Sequence, residues 1–513
     1  MSGGISMRPV RLRRAVALAA ATVSIVGLVA CSTTTGGSST GGAVAQELAV
    51  AVWTPIENLD PHGASGMDNG TQVAAKAIFS PLLRTKGKGQ FEGVLAESWQ
   101  ANEDATEWTF TLREDVTFSD GTPVTSADVV ASFERVLALK GAMAGNYAGH
   151  NAKESGADKV VITSKDPDPA LLGKLITFYV TPAAHQDGDW SKPIGSGPFV
   201  VERFTPGQSL VLAPNPGHWR GKPALNRLEL RSVQEMAARM TALKTGEVDM
   251  TWVVPDDQLA GLKGNTDLVV EKDSGSGVIT MWMNGSEKGL KEAAVRRALW
   301  QAVDFATIIK SLFPETGSVA NSVVTPNVLG YAPQTPVTYD PAAAKKALDD
   351  AGWDYDQKIQ MQFSQPQFQQ FADAVASDLA KIGVKAEPTQ KEAAVFLQDL
   401  LALKWDLNIQ QLGTAGFDAA TNLGRLYTCA AKRTGYCNPD LDKLLNQAGS
   451  TSDNAKRQEL YGQANKIIWD DAVGMYPMFV RNLYVRNKSV QGLTIPPDLT
   501  PDFSTVRIGN GTS

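Results

Sequence analysis

The chain has 513 residues, 43% hydrophobic and 20% charged, with 46 Gly, 27 Pro and 3 Cys, which excludes a disordered chain, a collagen-like repeat and a disulfide-stapled miniprotein. Its length predicts about two to four domains, each with its own core, so that a ligand cleft has room to lie between them. Net charge is −6, and without the first thirty residues, whose four Arg have no acidic counterpart, it is 44 basic against 54 acidic residues; so acidic a surface argues against nucleic acid, where phosphate neutralisation needs clustered Lys and Arg.

Residues 1–30 run from the Arg-rich RPVRLRR through the apolar AVALAAATVSIVGLVA to Cys31. This is the three-part layout of an export signal, and the run is short for a membrane span. Its end, LVAC, resembles the bacterial lipobox, in which the signal is cut before the Cys and the Cys is acylated; a buried N-terminal helix with an incidental Cys is the alternative. The Ser/Thr/Gly stretch that follows, to residue 45, has too little apolar surface to fold and predicts a flexible tether. It holds a formal G-x-S-x-G match at 37–41, but with no strand before or helix after, this is no nucleophile elbow.

From residue 46 short strand-like runs alternate with amphipathic helices, the pattern of α/β lobes. ELAVAVW (47–53) predicts a first strand. TEWTFTLREDVTF alternates through Trp108, Phe110 and Leu112 and predicts a half-buried strand ended by the SDGTP turn. Thr125 stands as N-cap with Asp128 three residues on, and Val129, Phe133, Val136 and Leu137 fall on one face of the helix that follows. EAAVRRALWQAVDFATIIKSLF predicts a second helix, and YDPAAAKKALDDAGW another, opening at Pro341 and closing on Gly352. FQQFADAVASDLAKIG predicts a helix ending near Gly383 before a strand; NAKRQELYGQANKIIWDDA is a late helix, followed by the strand MYPMFVRNLYVRN.

Cys429 and Cys437 either close a small loop in an oxidising compartment or remain free thiols. The histidines, His62, His150, His185 and His218, are scattered, and H-E-x-x-H, phosphate-loop and G-x-G-x-x-G motifs are absent from the sequence. No metal site or cofactor is therefore expected, and an enzyme has no positive signal.

The block LAESWQANEDATEWTFTLREDVTFSDGTPVTSADVVASFERV (95–136) resembles the signature of the family 5 extracellular solute-binding proteins, the peptide, nickel and oligosaccharide receptors of ABC importers. PIGSGPFVVERFTPGQSLVLAPNPGHWRGKPALNRLEL, LKTGEVDM, VRRALWQAVD and NPDLDKLLNQA follow in family order. The resemblance implies a two-lobed, type II periplasmic-binding-protein-like α/β fold of the large peptide-binding cluster. After a signal over 1–30 and a tether over 31–45, the first lobe takes 46–78 and 193–282, with a subdomain inserted over 79–192. The second lobe takes 283–480, and 481–513 returns to the first.

It also implies a cleft lined by Trp53, Thr54, Trp282, Asn284, Gly413, Phe417 and Asp418, with Asp418 holding a ligand ammonium through a charge-assisted hydrogen bond. Leu412 and Ala419 stand where the family's W-x5-D-P arrangement has Trp and Pro, and FSQPQFQQF carries no Arg for a ligand carboxylate, which favours longer peptides over a free-ended dipeptide. The implied protein is a monomeric receptor, lipid-anchored through Cys31 on the extracytoplasmic face of the cell membrane. It passes a small solute, an oligopeptide first of all, to an ABC permease and performs no chemistry. The alternatives are a surface-anchored hydrolase, or the same fold binding an oligosaccharide or a nickel complex.

Overall fold

The computed structural model describes residues 44–509 except 263, 274 and 276; Cys31, the export signal and nearly all of the tether lie outside the described residues. The run at 47–52 carries apolar residues on both faces, as a strand covered on both sides requires. It forms Glu47–Val52, paired in parallel with Arg227–Ser232 and Met250–Trp252. The sheet has seven strands in the order Phe199–Thr205, Ser209–Pro214, Arg227–Ser232, Glu47–Val52, Met250–Trp252, Leu483–Asn487, Leu268–Lys272. Leu48, Val50 and Val52 join Leu228, Leu230 and Ile78 in one core; Ala51 meets Met240, Leu243 and Val485 in another.

A second sheet has six strands in the order Gly317–Val319, Gly474–Val480, Gly277–Met283, Leu407–Leu412, Lys358–Phe363, Lys385–Gln390. Gly277–Met283 is buried throughout and pairs on both sides within this sheet. The second lobe therefore begins at 277 and not at 283: a strand with both neighbours in the second sheet cannot belong to the first. The single strand expected over 475–487 is likewise two, Gly474–Val480 here and Leu483–Asn487 in the seven-stranded sheet. The chain thus crosses between sheets at 272–277 and again at 480–483. Asp273 ties the crossings together: its amide donates to the Asn482 carbonyl (3.2 Å), its Oδ2 accepts from the Asn482 amide (2.9 Å) and its Oδ1 from the Gly275 amide (2.8 Å).

The helix expected over 292–313 is also divided, into Ala293–Gln301 and Phe305–Leu312. Asp304 breaks it because its carboxylate caps the second piece, accepting from the Thr307 amide (3.0 Å) and hydroxyl (2.8 Å).

Inserted after Asn69–Ile78 is a four-stranded antiparallel sheet, Ala96–Ala101, Glu107–Leu112, Lys159–Ser164, His150–Glu154, packed on the helix Ser126–Leu139 through Phe110, Val129, Phe133 and Val136. The capping box forms as expected, with Asp128 accepting from the Thr125 amide and hydroxyl, both at 2.8 Å. This subdomain touches the second lobe. The Lys88 amide donates to the Asn327 carbonyl (2.6 Å), Asn454 Nδ2 donates to the Gly89 carbonyl (3.3 Å), and Gly173 packs against Gly416. A Cβ on Gly173 would stand 2.5 Å from the Gly416 carbonyl oxygen, so the backbones meet only because neither residue has a side chain.

Candidate ligand cleft

In open α/β sheets ligands gather beyond the carboxyl ends of the strands. Both sheets direct the ends of their parallel strands toward the crossings. In the first, Trp252 at the end of Met250–Trp252 lies opposite Tyr484, and Lys272 opposite Leu483, just past the second crossing. In the second, Leu412 at the end of Leu407–Leu412 lies opposite Val278, just past the first.

Four of the predicted residues stand beyond these ends. Trp53 and Thr54 follow Val52 and are half-buried. The Trp53 Nε1 is buried without a hydrogen-bond partner, and the Thr54 hydroxyl donates to Asn69 Oδ1 (3.2 Å). Gly413 is exposed, its carbonyl accepting from Asn422 Nδ2 (3.0 Å). Phe417 is half-buried at φ 57°, its carbonyl accepting from the Leu329 amide (2.8 Å).

The other three are withdrawn into the second lobe. Trp282 is 1% exposed, its Nε1 donating to the Tyr427 hydroxyl (2.9 Å) with the rings edge to face. Asn284 is fully buried and fully engaged: Nδ2 donates to the carbonyls of Leu403 (3.1 Å) and Trp405 (2.9 Å), and Oδ1 accepts from the Ser286 amide (3.1 Å) and hydroxyl (2.6 Å). It fastens a turn and offers nothing to a ligand.

Asp418 is the larger correction. It is 4% exposed, and Arg457, 1% exposed, clamps it with Nη2 at 2.8 Å from Oδ1 and Nη1 at 2.7 Å from Oδ2, while the Ala420 amide adds a bond to Oδ1 (2.9 Å). The guanidinium supplies the cation that the sequence reading assigned to a ligand ammonium. Arg457 is held in turn by the Ala448 carbonyl (3.1 Å), and burial, then the Asp418 charge, pushes the neighbouring Tyr461 hydroxyl up to about 12. Asp418 and Arg457 are 39 positions apart, and nothing local in the sequence announces the pair.

Sequence reasoning also missed the contact of Gly173 with Gly416 and the environment of His62. That histidine is buried, with Nε2 donating to the Tyr179 carbonyl (2.7 Å) and its ring stacked on Phe178. Burial lowers its pKa to about 4. Cys429 and Cys437 are joined in a disulfide, and the Cys429 amide donates to Asp442 in the first turn of Pro439–Ala448 (2.9 Å), pinning the loop to that helix. Among the described residues no group of three or more His, Cys, Asp and Glu is placed to hold a metal ion, and no helix is long and apolar enough to cross a membrane.

Comparison with known proteins gives the fold and the family. The chain is 29% identical over 480 residues to the "Probable D,D-dipeptide-binding periplasmic protein DdpA" of Escherichia coli K12, covering 87% of this chain and 91% of that one. It is 26% identical over 498 residues to the glutathione-binding protein GsiB of the same strain, covering 92% and 96%. Among solved structures, HbpA2 from Haemophilus parasuis superposes with a TM-score of 0.81 at 24% identity, over 90% of this chain and 100% of that one. The periplasmic murein tripeptide binding protein MppA, in its unliganded open form, gives 0.80 at 22% identity, over 91% and 98%. Residues 90–434 match the bacterial extracellular solute-binding proteins, family 5 Middle, and with more than half of its length inside that match the chain belongs to the family 5 solute-binding proteins of ABC importers.

Proposed function

We propose that this protein captures an oligopeptide outside the cytoplasm by closing its two lobes on it, and delivers it unaltered to a membrane permease. The observation that carries the reading is the aim of both sheets: parallel strands of each end at the same double crossing, so a solute held there touches both lobes and favours the closed arrangement by its differential affinity for it. The peptide class is supported by the relatives named for a D,D-dipeptide and for glutathione, which match over about nine-tenths of the chain. Trp53, Thr54, Gly413 and Phe417 are the residues assigned to the cleft walls. A monomer anchored by an acylated Cys31 and lacking catalytic activity completes the reading.

Isothermal titration of the purified protein against peptide, oligosaccharide and nickel-complex panels, with mass spectrometry of the recovered solute, tests it. Stoichiometric binding of peptides recovered intact is expected. Turnover without retention would replace the receptor with a hydrolase, and retention of only sugars or a nickel complex would replace the peptide.

A further inference from the structure

Six glutamines lie between 360 and 370, and one of them belongs to a row of amide side chains on the second sheet. Gln362, one residue from the end of Lys358–Phe363, lies opposite Asn408 on the parallel neighbour. Gln410 follows Asn408 on the same face, two residues nearer the strand end. Gln362 is 1% and Asn408 0% exposed. Both amide atoms of Gln362, both of Asn408 and Nε2 of Gln410 are buried with no hydrogen-bond partner.

Buried amides left unbonded are costly and rare in folded proteins. Turning Gln362 and Asn408 toward each other would join one carbonyl to one amide nitrogen and leave the other carbonyl and the other nitrogen stranded. The residues registered across the sheet beside them, Thr389, Thr280 and Trp282, are also uncharged. The row therefore offers donors and acceptors together without a counter-charge, which suits a neutral group that also both donates and accepts, and penalises an ammonium or a carboxylate. Gln362 stands next to the carboxyl end of its strand, while Asn408 and Gln410 are second and fourth of the six residues of Leu407–Leu412, so the row runs from inside the sheet toward the side where ligands of such sheets bind.

We propose that Gln362, Asn408 and Gln410 form a subsite for a primary amide of the bound solute, so that the receptor selects peptides carrying an Asn or Gln side chain. This rests on the peptide reading above and adds a specificity to it. The test is isothermal titration of the full chain with tetrapeptides in which Gln is exchanged for Met, Lys or Glu at each position in turn. At one position Gln is expected to bind about tenfold more tightly than Met, with Lys and Glu weaker still. Asn408→Val, and independently Gln362→Met, should bring the Gln and Met peptides to within about twofold of each other by weakening the Gln peptide alone. The melting midpoint of each variant verifies that it is folded, and two variants on different strands guard against one that is not. A wild-type protein indifferent to Gln at every position, or folded variants that keep the preference, would overturn the subsite and leave the row as a lodging for water. If the wild type bound no peptide at all, the peptide reading itself would fall, and the subsite with it.

Discussion

Asn284 and Asn408 are both completely buried in the second lobe, yet the side chain of one makes four hydrogen bonds to neighbours and that of the other none. The turn around Asn284 and the clamp of Arg457 on Asp418 are closed polar systems, in which every strong group is answered from within the chain. The strand around Asn408 is an open one. The difference teaches where to look for recognition: closed systems fix the fold, and open ones hold the capacity to bind something from outside.

The comparison is broken most forcefully at its closed end. Asp418→Ala leaves Arg457 charged and buried, and should cost about 3–5 kcal/mol in urea unfolding. A loss below about 1 kcal/mol would mean that the clamp was never closed. His62 is an intermediate case, bonded through Nε2 but with Nδ1 unpartnered. It is neutral in the folded protein, with its pKa near 4 against 6.5 when unfolded. The unfolded chain thus takes up the proton first, and stability that is complete above pH 6.5 drains away as the pH falls toward 4, by about 3 kcal/mol. Unfolding measured across that window should show the slope, and His62→Gln should remove it.

The sharpest form of the comparison sets the two asparagines side by side. Asn284→Leu strands the carbonyls of Leu403 and Trp405 and the Ser286 amide, and should cost about 2–3 kcal/mol. Asn408→Val strands nothing, and unfolding measurements should find it as stable as the parent or more so. Gly173→Ala acts between the lobes. It should leave the unfolding midpoint alone, because each lobe is intact, but weaken solute binding about tenfold in titration by wedging the Gly416 contact apart. At the bottom of the scale is Lys346, whose partner Asp350 lies one helical turn away in full solvent; Lys346→Ala should not move the melting temperature measurably.

Much of the fold is legible because it is local. The capping box at Thr125 and Asp128, the helix opened by Pro341 and the both-sided apolar run at 47–52 all follow from periodicity and end signals within a few residues. The break at Asp304 is local too, but a carboxylate in the middle of an apolar stripe reads equally well as a surface position or as a cap. The lobe boundary is harder. Gly277–Met283 is apolar but for Thr280, and a strand buried on every side does not say which sheet buries it. The site is least legible of all. Strand ends are visible in the sequence, so Trp53, Thr54 and Gly413 fall beside them. Whether a polar residue is answered from within depends on partners far along the chain, Arg457 for Asp418 and Tyr427 for Trp282, and those distances carry no pattern. The amide row has the same character, since composition displays the glutamines but only the register of the strands shows which of them are neighbours.

The double crossing also fixes an order of assembly. Everything the six-stranded sheet needs lies between 277 and 480, one continuous stretch. The seven-stranded sheet, by contrast, places Leu483–Asn487 between Met250–Trp252 and Leu268–Lys272, so its last strand to leave the ribosome sits inside the sheet and not at its border. Until residue 483 arrives, Leu268–Lys272 has no neighbour to bond. A chain truncated just before that point would carry a complete second half and an unfinished first, with two raw sheet borders exposed to other chains.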